Sequence, residues 1–194
     1  MRTKICVVLC LLAISSSLFA DEYIRVNTKN VDLVLRVKDD GRLHQSYLGK
    51  RLKDESDLRH LPQGPEAYLT HGMEDYFEPA IEVTHNDKNP SLLLKHQSHE
   101  TQKGDGFTET IITLKDDKYP TTVVLHYAAY SEEDIIKTWA EITNGEKKPV
   151  MLKKYASSML HFNRANYFLT EFSGDWADEA HMSCNELSFG KKVV

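Results

Sequence analysis

Two segments of the 194-residue chain combine carboxylates with aromatic side chains, which are residue types that bind sugars. One covers residues 72–80 (GMEDYFEPA) and the other covers residues 173–181 (SGDWADEAH). Aromatic rings pack against the apolar faces of a sugar, and carboxylates accept hydrogen bonds from its hydroxyls. The segments therefore suggest a carbohydrate contact. The alternative, which the residue types alone favour, is that Tyr76, Phe77 and Trp176 cap a hydrophobic core.

Paired carboxylates also raise the question of glycoside hydrolysis, in which one acid protonates the leaving oxygen and the other attacks or activates water. The candidates in and around the two segments are Glu74, Asp75, Glu171, Asp175, Asp178 and Glu179. Nothing in the sequence places two of them at the required separation, and acidic residues in loops are usually solvated. We therefore predict no catalytic residue in this set.

Nine histidines raise the question of a metal site. The densest cluster is His96 and His99 followed by Glu100, an order that matches neither zinc-protease helix motif. On a regular strand, a spacing of three residues sends two side chains to opposite faces. We therefore predict no metal site. The sequence also lacks a phosphate-binding loop, a dinucleotide fingerprint and a serine nucleophile elbow, so no cofactor is predicted.

Residues 1–20 match a Sec-type signal peptide. Arg2 and Lys4 form a basic start, a short apolar run follows, and Ala20 is the small residue at the cut. The run is too short to span a bilayer, which requires about 20 apolar residues. We therefore predict an exported protein, periplasmic or extracellular, with one domain over residues 21–194 and no membrane span after cleavage.

The composition of the chain excludes some classes of partner. Lysine and arginine total 24 against 29 aspartates and glutamates, for a net charge of -5, so a nucleic-acid-binding surface is not expected.

Hydrophobic residues make up 41% of the sequence, enough for a packed core. The predicted mature chain keeps only Cys184, which we expect to be half-buried, so burial rather than a disulfide must stabilise the fold.

The remaining pattern is one of strands separated by turns. Residues 31–37 (VDLVLRV) alternate apolar and polar side chains, which places the apolar ones on one face of a strand. Residues 39–41 (DDG) supply the Asp-Gly chemistry of a tight hairpin. Roughly nine or ten strands at such spacing, without a convincing long helix, indicate an all-β fold, an antiparallel β-sandwich.

Two segments are less regular. Residues 49–78 hold several prolines and glycines and are predicted to be a long connection, of a kind that is often functional. Residues 131–134 (SEED) resemble a helix N-cap before residues 135–143 (IIKTWAEIT). The β-branched content of that stretch and the Asn-Gly turn after it favour a strand instead.

Four motifs, taken in order, resemble the N-terminal domain of family 36 glycoside hydrolases, the α-galactosidases. They are residues 47–52 (YLGKRL), 74–80 (EDYFEPA), 174–177 (GDWA) and 189–192 (FGKK). The resemblance implies a large β-supersandwich that precedes a (β/α)₈ barrel. In that barrel, two aspartates of a retaining mechanism would release terminal α-linked galactose.

The resemblance also implies what this chain would lack. A barrel needs about 250 residues, and the family would continue beyond Val194 with more of its sandwich. We therefore expect a fragment that is inactive alone and that supports hydrolysis of α-galactosides by a barrel absent from the chain. Asp75, Tyr76 and Trp176 would be loop residues that face the barrel or a neighbouring subunit, without a catalytic role.

Two alternatives remain open. One is a stand-alone carbohydrate-binding module that uses Trp176 and Tyr76, and the other is a protein-interaction domain with no sugar role.

A domain that normally packs against a barrel should expose apolar surface on the side that the barrel covers.

Overall fold

The computed structural model describes residues 22–73, 77–162 and 166–187, so the predicted signal peptide lies outside the described residues. The described residues form eleven strands and one 3₁₀ helix, Glu55–His60, and none of their helices is long and apolar enough to cross a membrane. The strands are β1 (Glu22–Asn27), β2 (Val31–Val37), β3 (Leu43–Lys50), β4 (Ile81–Thr84), β5 (Leu94–Lys103), β6 (Thr108–Asp116), β7 (Thr121–Tyr130), β8 (Ile135–Asn144), β9 (Met151–Tyr155), β10 (Phe168–Asp175) and β11 (Asp178–Glu186). The predicted all-β fold class is confirmed.

Two antiparallel sheets enclose the core. The strands β1-β2-β3 form one sheet and β5-β6-β7-β8 form the other, while β4 pairs with β9 and β10 pairs with β11. A single hydrophobic cluster draws side chains from both larger sheets, among them Ile24, Leu33, Leu35, Ile112, Leu114, Val123 and Leu125. Two sheets with a shared apolar interior make a β-sandwich, as the alternating pattern predicted.

The first predicted hairpin has the turn that its sequence indicates. Strand β2 ends at Val37, β3 begins at Leu43, and Gly41 takes a φ of +83°, which a glycine adopts without a steric penalty. The carboxylate of Asp40 accepts hydrogen bonds from the backbone N–H and from Nε of Arg42, at 3.0 and 2.9 Å. Hydrogen bonds between residues of the turn itself therefore stabilise it.

The segment that resembled a helix N-cap is a turn before strand β8, so the strand prediction is confirmed. Asp134 has a φ of 55°, outside helical geometry, and β8 begins at the next residue. Its carboxylate accepts hydrogen bonds from Thr28 Oγ1 at 2.9 Å, from the Asn30 backbone N–H at 2.8 Å and from Asn30 Nδ2 at 2.6 Å. Asp134 therefore links the β7–β8 turn to the β1–β2 turn.

The long connection predicted between β3 and β4 is partly a core element. Residues 66–70 (EAYLT) are buried, and the ring of Tyr68 lies inside the hydrophobic cluster. The Tyr68 hydroxyl donates a hydrogen bond to the Ala156 carbonyl at 2.7 Å, and burial raises the pKa of Tyr68 to about 12. This connection therefore helps to fill the interior instead of running only over the surface.

The second carboxylate-aromatic segment was predicted to be a loop, and that prediction was wrong. Residues 173–181 contain the end of β10, a tight turn at Trp176 and Ala177, and the start of β11. The turn depends on a φ of 63° at Ala177, which an alanine rarely adopts. Because the turn lacks the usual glycine, its sequence gave no hairpin signal.

Candidate functional site

Of the three residues predicted to face a barrel, only Trp176 lies in the described part of the chain. Asp75 and Tyr76 lie outside the described residues. Trp176 is 93% exposed at the tip of the β10–β11 ribbon, and Phe77 is 60% exposed. The alternative that these two side chains cap the core is therefore wrong, because the hairpin carries Trp176 out into solvent.

The two carboxylate-aromatic segments contribute to separate grooves. A groove of about 620 Å³ is lined by Asp39, Asp40, Arg42, Gly72, Met73, Leu93 and Lys95. A second groove of about 490 Å³ runs along the ribbon and is lined by Phe172, Ser173, Gly174, Asp175, Trp176, Glu179 and Ala180. The two grooves share no lining residue, so the described residues of the two segments do not form one common groove.

Two charged residues that line the first groove, Asp40 and Lys95, have oppositely charged partners. Burial acts to raise the pKa of Asp40, but the hydrogen bonds from Arg42 outweigh it and hold the pKa below its ordinary value. Lys95 donates a hydrogen bond to Asp117 Oδ2 at 2.5 Å, which raises the pKa of the Lys95 ammonium. Both groups stay charged at neutral pH, so they suit hydrogen bonds to a polar ligand and not proton transfer.

The candidate catalytic carboxylates that are described lie on the ribbon. Asp178 accepts a hydrogen bond from His181 Nε2 at 2.5 Å, and both residues are exposed. Glu171 accepts one from Ser183 Oγ at 3.0 Å. A retaining glycosidase holds its two acids across a cleft that encloses the sugar, whereas this ribbon is largely solvated on both faces. The candidate acids of the ribbon are therefore exposed to solvent or hydrogen-bonded to neighbouring ribbon side chains.

One face of the ribbon carries large apolar side chains that are open to solvent. Because Phe172 pairs with Met182, this face carries Phe168, Phe172, Met182 and Cys184, together with Thr170 and Glu186. Phe168, Phe172 and Met182 are each more than 60% exposed, and Cys184 is exposed instead of half-buried as predicted. We call Phe168, Phe172, Met182 and Cys184 the ribbon face. The sequence analysis did not predict this face, although Phe168 and Phe172 are four residues apart in an extended stretch and therefore fall on one face of a strand.

Exposed apolar side chains are concentrated in the last part of the described chain. Before residue 150, only Phe77 and Ile135 are large, apolar and exposed among the described residues. The others lie on β9, on the ribbon and beside them: Met151, Leu152, Tyr155, Leu160, Phe162, Tyr167, Phe168, Phe172, Trp176, Met182 and Leu187. The predicted exposed apolar surface is therefore present, and most of its residues lie between positions 151 and 187.

Most buried histidines have structural roles. His85 is fully buried, stacks on Tyr119 with the ring centroids 3.5 Å apart, and uses both ring nitrogens, Nδ1 to Glu146 at 2.7 Å and Nε2 to the Ser91 carbonyl at 3.1 Å. No ring nitrogen of His85 is left for a ligand. His126 similarly contacts Glu109 at 2.8 Å.

The prediction that His96 and His99 lie on opposite faces of a strand was wrong. The pairing of β5 with β6 shifts register between His96 and Ser98, which leaves Gln97 as the extra residue of a β-bulge. The bulge cancels one step of the alternation, and His96 Nε2 lies 3.2 Å from His99 Nδ1. Burial lowers the pKa of His96. A spacing of three therefore brings the two imidazoles together here.

Comparison with known proteins gives a consistent result. The glycosyl hydrolase family 36 N-terminal domain matches residues 35–194. The α-galactosidase Mel36A of Lactobacillus acidophilus is 22% identical in an alignment 204 residues long. The alignment covers 87% of this chain and 28% of that protein. This chain therefore spans less than a third of the length of that relative.

Solved structures show the same fold. The family 36 α-galactosidase AgaA of Geobacillus stearothermophilus superposes with a TM-score of 0.80 at 20% identity, over 87% of this chain and 28% of AgaA. The α-galactosidase of Lactobacillus brevis gives a TM-score of 0.74 at 19% identity, over 87% of this chain and 28% of that chain. A variant of AgaA was solved in complex with raffinose, and its TM-score is 0.79 at 20% identity, with the same coverage.

Proposed function

Because the chain belongs to the glycosyl hydrolase family 36 N-terminal domain family, we propose that it is the non-catalytic N-terminal domain of an α-galactosidase-like enzyme. The observation that carries the proposal is that the match over residues 35–194 is to the N-terminal domain alone. In this role the sandwich supports a catalytic domain that hydrolyses terminal α-galactosides. The catalytic aspartates belong to that domain, and this chain alone has no hydrolase activity.

The ribbon face is the surface that contacts the catalytic domain. A sheet that is apolar on one face is stable when another layer covers it, and within the described residues β10 and β11 pair only with each other. Phe168, Phe172 and Met182 together exceed the scattered exposure that is normal for a soluble surface. The catalytic domain of the enzyme supplies the missing layer.

The predicted loop residues fit the same arrangement. Trp176 projects from the ribbon tip next to the proposed contact. We assign it to the contact with the catalytic domain or a neighbouring subunit, and we assign Asp75 and Tyr76 the same role from their motif alone. None of the three has a catalytic role.

We further propose that the protein is exported. The basic, apolar and small-residue regions of residues 1–20 support a signal peptide that is cleaved after Ala20. The N-terminal sequence of the protein recovered from the periplasm or the culture medium tests this assignment. A chain that begins at Asp21 is expected, and one that retains Met1 in the cytoplasm would contradict export.

Two measurements test the proposed domain role. The purified chain should release no galactose from raffinose, whereas a full-length family 36 α-galactosidase, as a positive control, should release it readily. The coding sequence beyond the Val194 codon, in the same frame or a neighbouring one, should encode a barrel of about 250 residues. Turnover by the isolated chain, or the absence of any barrel-coding sequence nearby, would contradict the proposal.

A second candidate function is a carbohydrate-binding module, and the exposure of Trp176 at the ribbon tip favours it. The chain has only two tryptophans, Trp139 and Trp176. A bound sugar that stacks on Trp176 should therefore change the fluorescence of the chain during titration with galactose or raffinose. Trp176→Ala should abolish the change, whereas Trp139→Phe should keep it. No response in the native chain would exclude the module and leave the domain role.

A further inference from the structure

Three groups that ligate metals meet where the two sheets face each other. Glu22 is the first residue of β1, an edge strand of the three-stranded sheet, and His96 and His99 lie on β5, an edge strand of the other sheet. Side chains two residues apart on a strand share a face, so Glu22 lies on the face of the buried Ile24. The cluster therefore joins two strands that do not pair with each other.

The β-bulge aims both imidazoles at the same side. His96 pairs with Leu114 and His99 pairs with Ile112, and both of these β6 residues are buried on the core face. Directly paired residues of adjacent antiparallel strands point to the same face. Both histidines consequently lie on the inner face of their sheet, at its edge, where Glu22 approaches from the opposite sheet.

The distances match the spacing of ligands around a single ion. His96 Nε2 lies 3.2 Å from His99 Nδ1, and His99 Nδ1 lies 3.7 Å from Glu22 Oε1. One ligand atom from each residue lies within 4.8 Å of the other two. Two ligands about 2.0–2.1 Å from a tetrahedral Zn²⁺ are roughly 3.3 Å apart. The histidine pair already has this separation, and the Glu22 carboxylate lies within 4.8 Å of both ring nitrogens, on a flexible side chain that can rotate closer.

The donor set also fits a particular class of ion. Imidazole nitrogen with carboxylate oxygen suits Zn²⁺ and its first-row neighbours, whereas Ca²⁺ and Mg²⁺ prefer oxygen ligands alone. Three protein ligands leave one position of a tetrahedral ion for water. The site is also accessible, because the side chain of Glu22 is 51% exposed and that of His99 is 29% exposed.

We propose that Glu22, His96 and His99 bind one divalent first-row transition-metal ion, such as Zn²⁺, which links the edges of the two sheets. The site is independent of the proposed carbohydrate role and lies outside both grooves. The predicted signal-peptide cleavage after Ala20 would keep all three ligands in the mature chain.

Calorimetric titration with Zn²⁺ tests the site, with chain that carries no histidine tag and has been treated with a chelator. We expect saturable binding of one ion per chain and a rise in unfolding temperature with added Zn²⁺, since an ion that binds only the folded state stabilises it. His96→Gln and His99→Gln should each weaken binding by more than about tenfold. Removing only a hydrogen-bond partner of a metal ligand already costs about tenfold in affinity, so removing a ligand should cost more. His60→Gln is the matched control, because His60 is exposed on the 3₁₀ helix, and it should not change binding.

A second measurement works on the native chain if the glutamine variants fold poorly. Bound Zn²⁺ should protect His96 and His99, but not His60, from modification by diethyl pyrocarbonate, as read by mass spectrometry. Tetrahedral Co²⁺ absorption in the visible range should appear at one equivalent and should persist in Cys184→Ser. The proposal is overturned by the absence of one-to-one binding, by equal modification of His96 with and without Zn²⁺, or by binding that depends on Cys184.

Discussion

Strands β6 and β10 both place large apolar side chains on one face, but these two faces have different surroundings. On β6, Ile112 and Leu114 are buried within the hydrophobic cluster. On β10, Phe168 and Phe172 are 61% and 68% exposed. The spacing of apolar residues thus indicates which face of a strand is apolar, but the burial of that face depends on whether another layer of the protein covers it.

The difference follows from sheet membership. Strand β6 lies between β5 and β7 and faces the three-stranded sheet, whereas β10 pairs only with β11 within the described residues. An isolated two-stranded ribbon is marginally stable in water. The sandwich therefore contributes most of the folding free energy of the described chain. The ribbon is the part that a contacting layer would stabilise most.

The largest difference in stability between the sandwich and the ribbon should appear when one apolar side chain is removed from each. We expect Ile112→Ala to lower the free energy of unfolding by about 2–5 kcal/mol, because it leaves a cavity in a packed interior. Urea denaturation followed by far-UV circular dichroism measures the loss. Phe172→Ala on the ribbon face is the matched control and should change stability by less than about 0.5 kcal/mol. Equal losses at the two positions would show that the ribbon is covered in solution.

Amide hydrogen exchange should be slower in the sandwich than in the ribbon. The amides of β6 and β7 are protected by pairing on both sides and should exchange at least about 100-fold more slowly than those of β10 and β11. Exchange followed by mass spectrometry of peptides measures the difference. Comparable protection in the ribbon would contradict the exposed surroundings described for it.

The contribution of Asp134 should depend on pH. Hydrogen bonds from the Asn30 side chain, the Asn30 backbone and Thr28 hold the pKa of Asp134 below the ordinary aspartate value of about 4. Its carboxylate therefore stabilises the fold fully above that ordinary value, and the stabilisation is lost as the pH falls through the lowered pKa.

Comparison of the native chain with Asp134→Asn measures this dependence. The native chain should have the higher urea midpoint near neutral pH, and the gap should close in acid. Asp105→Asn, in the β5–β6 turn, is a control at which no gap is expected. A gap that stays constant down to strongly acidic pH would show that the charge of Asp134 is not what holds the two turns together.

The smallest effect on stability should follow Trp176→Ala. The side chain is almost wholly in solvent, so its removal should change the free energy of unfolding by no more than about 0.5 kcal/mol. Thermal unfolding of the two chains checks this expectation. A larger loss would mean that Trp176 is packed against another surface in solution, which would place a contact at the ribbon tip.

The sequence predicted those parts of the fold that depend on local chemistry. The Asp-Gly turn before β3 and the β-branched stretch of β8 follow from residue type, and both were correct. The geometry of His96 and His99 was wrong because the prediction assumed an unbroken alternation, and a bulge depends on how neighbouring strands pair. The turn at Ala177 was missed because its left-handed backbone has no glycine to mark it.

The candidate site was less predictable than the fold. The sequence identified Trp176 as unlike ordinary surface, yet it could not distinguish a core cap from an exposed ribbon tip, because that depends on how far the hairpin extends from the sandwich. The roles of Asp75 and Tyr76 remain predictions, as do the signal peptide and the export that it implies. The ribbon face was not predicted because apolar residues on one face of a strand ordinarily indicate burial.

The linkage made by Asp134 sets an order of events for the chain during synthesis. Its hydrogen bonds to Thr28 and Asn30 join residues separated by 106 and 104 positions in sequence. The β1–β2 hairpin cannot gain these hydrogen bonds until Asp134 has been synthesised and has left the ribosome. Contacts so distant in sequence slow the folding of β-rich domains. The β1–β2 turn therefore gains this part of its support only when the β7–β8 turn of the opposite sheet is in place.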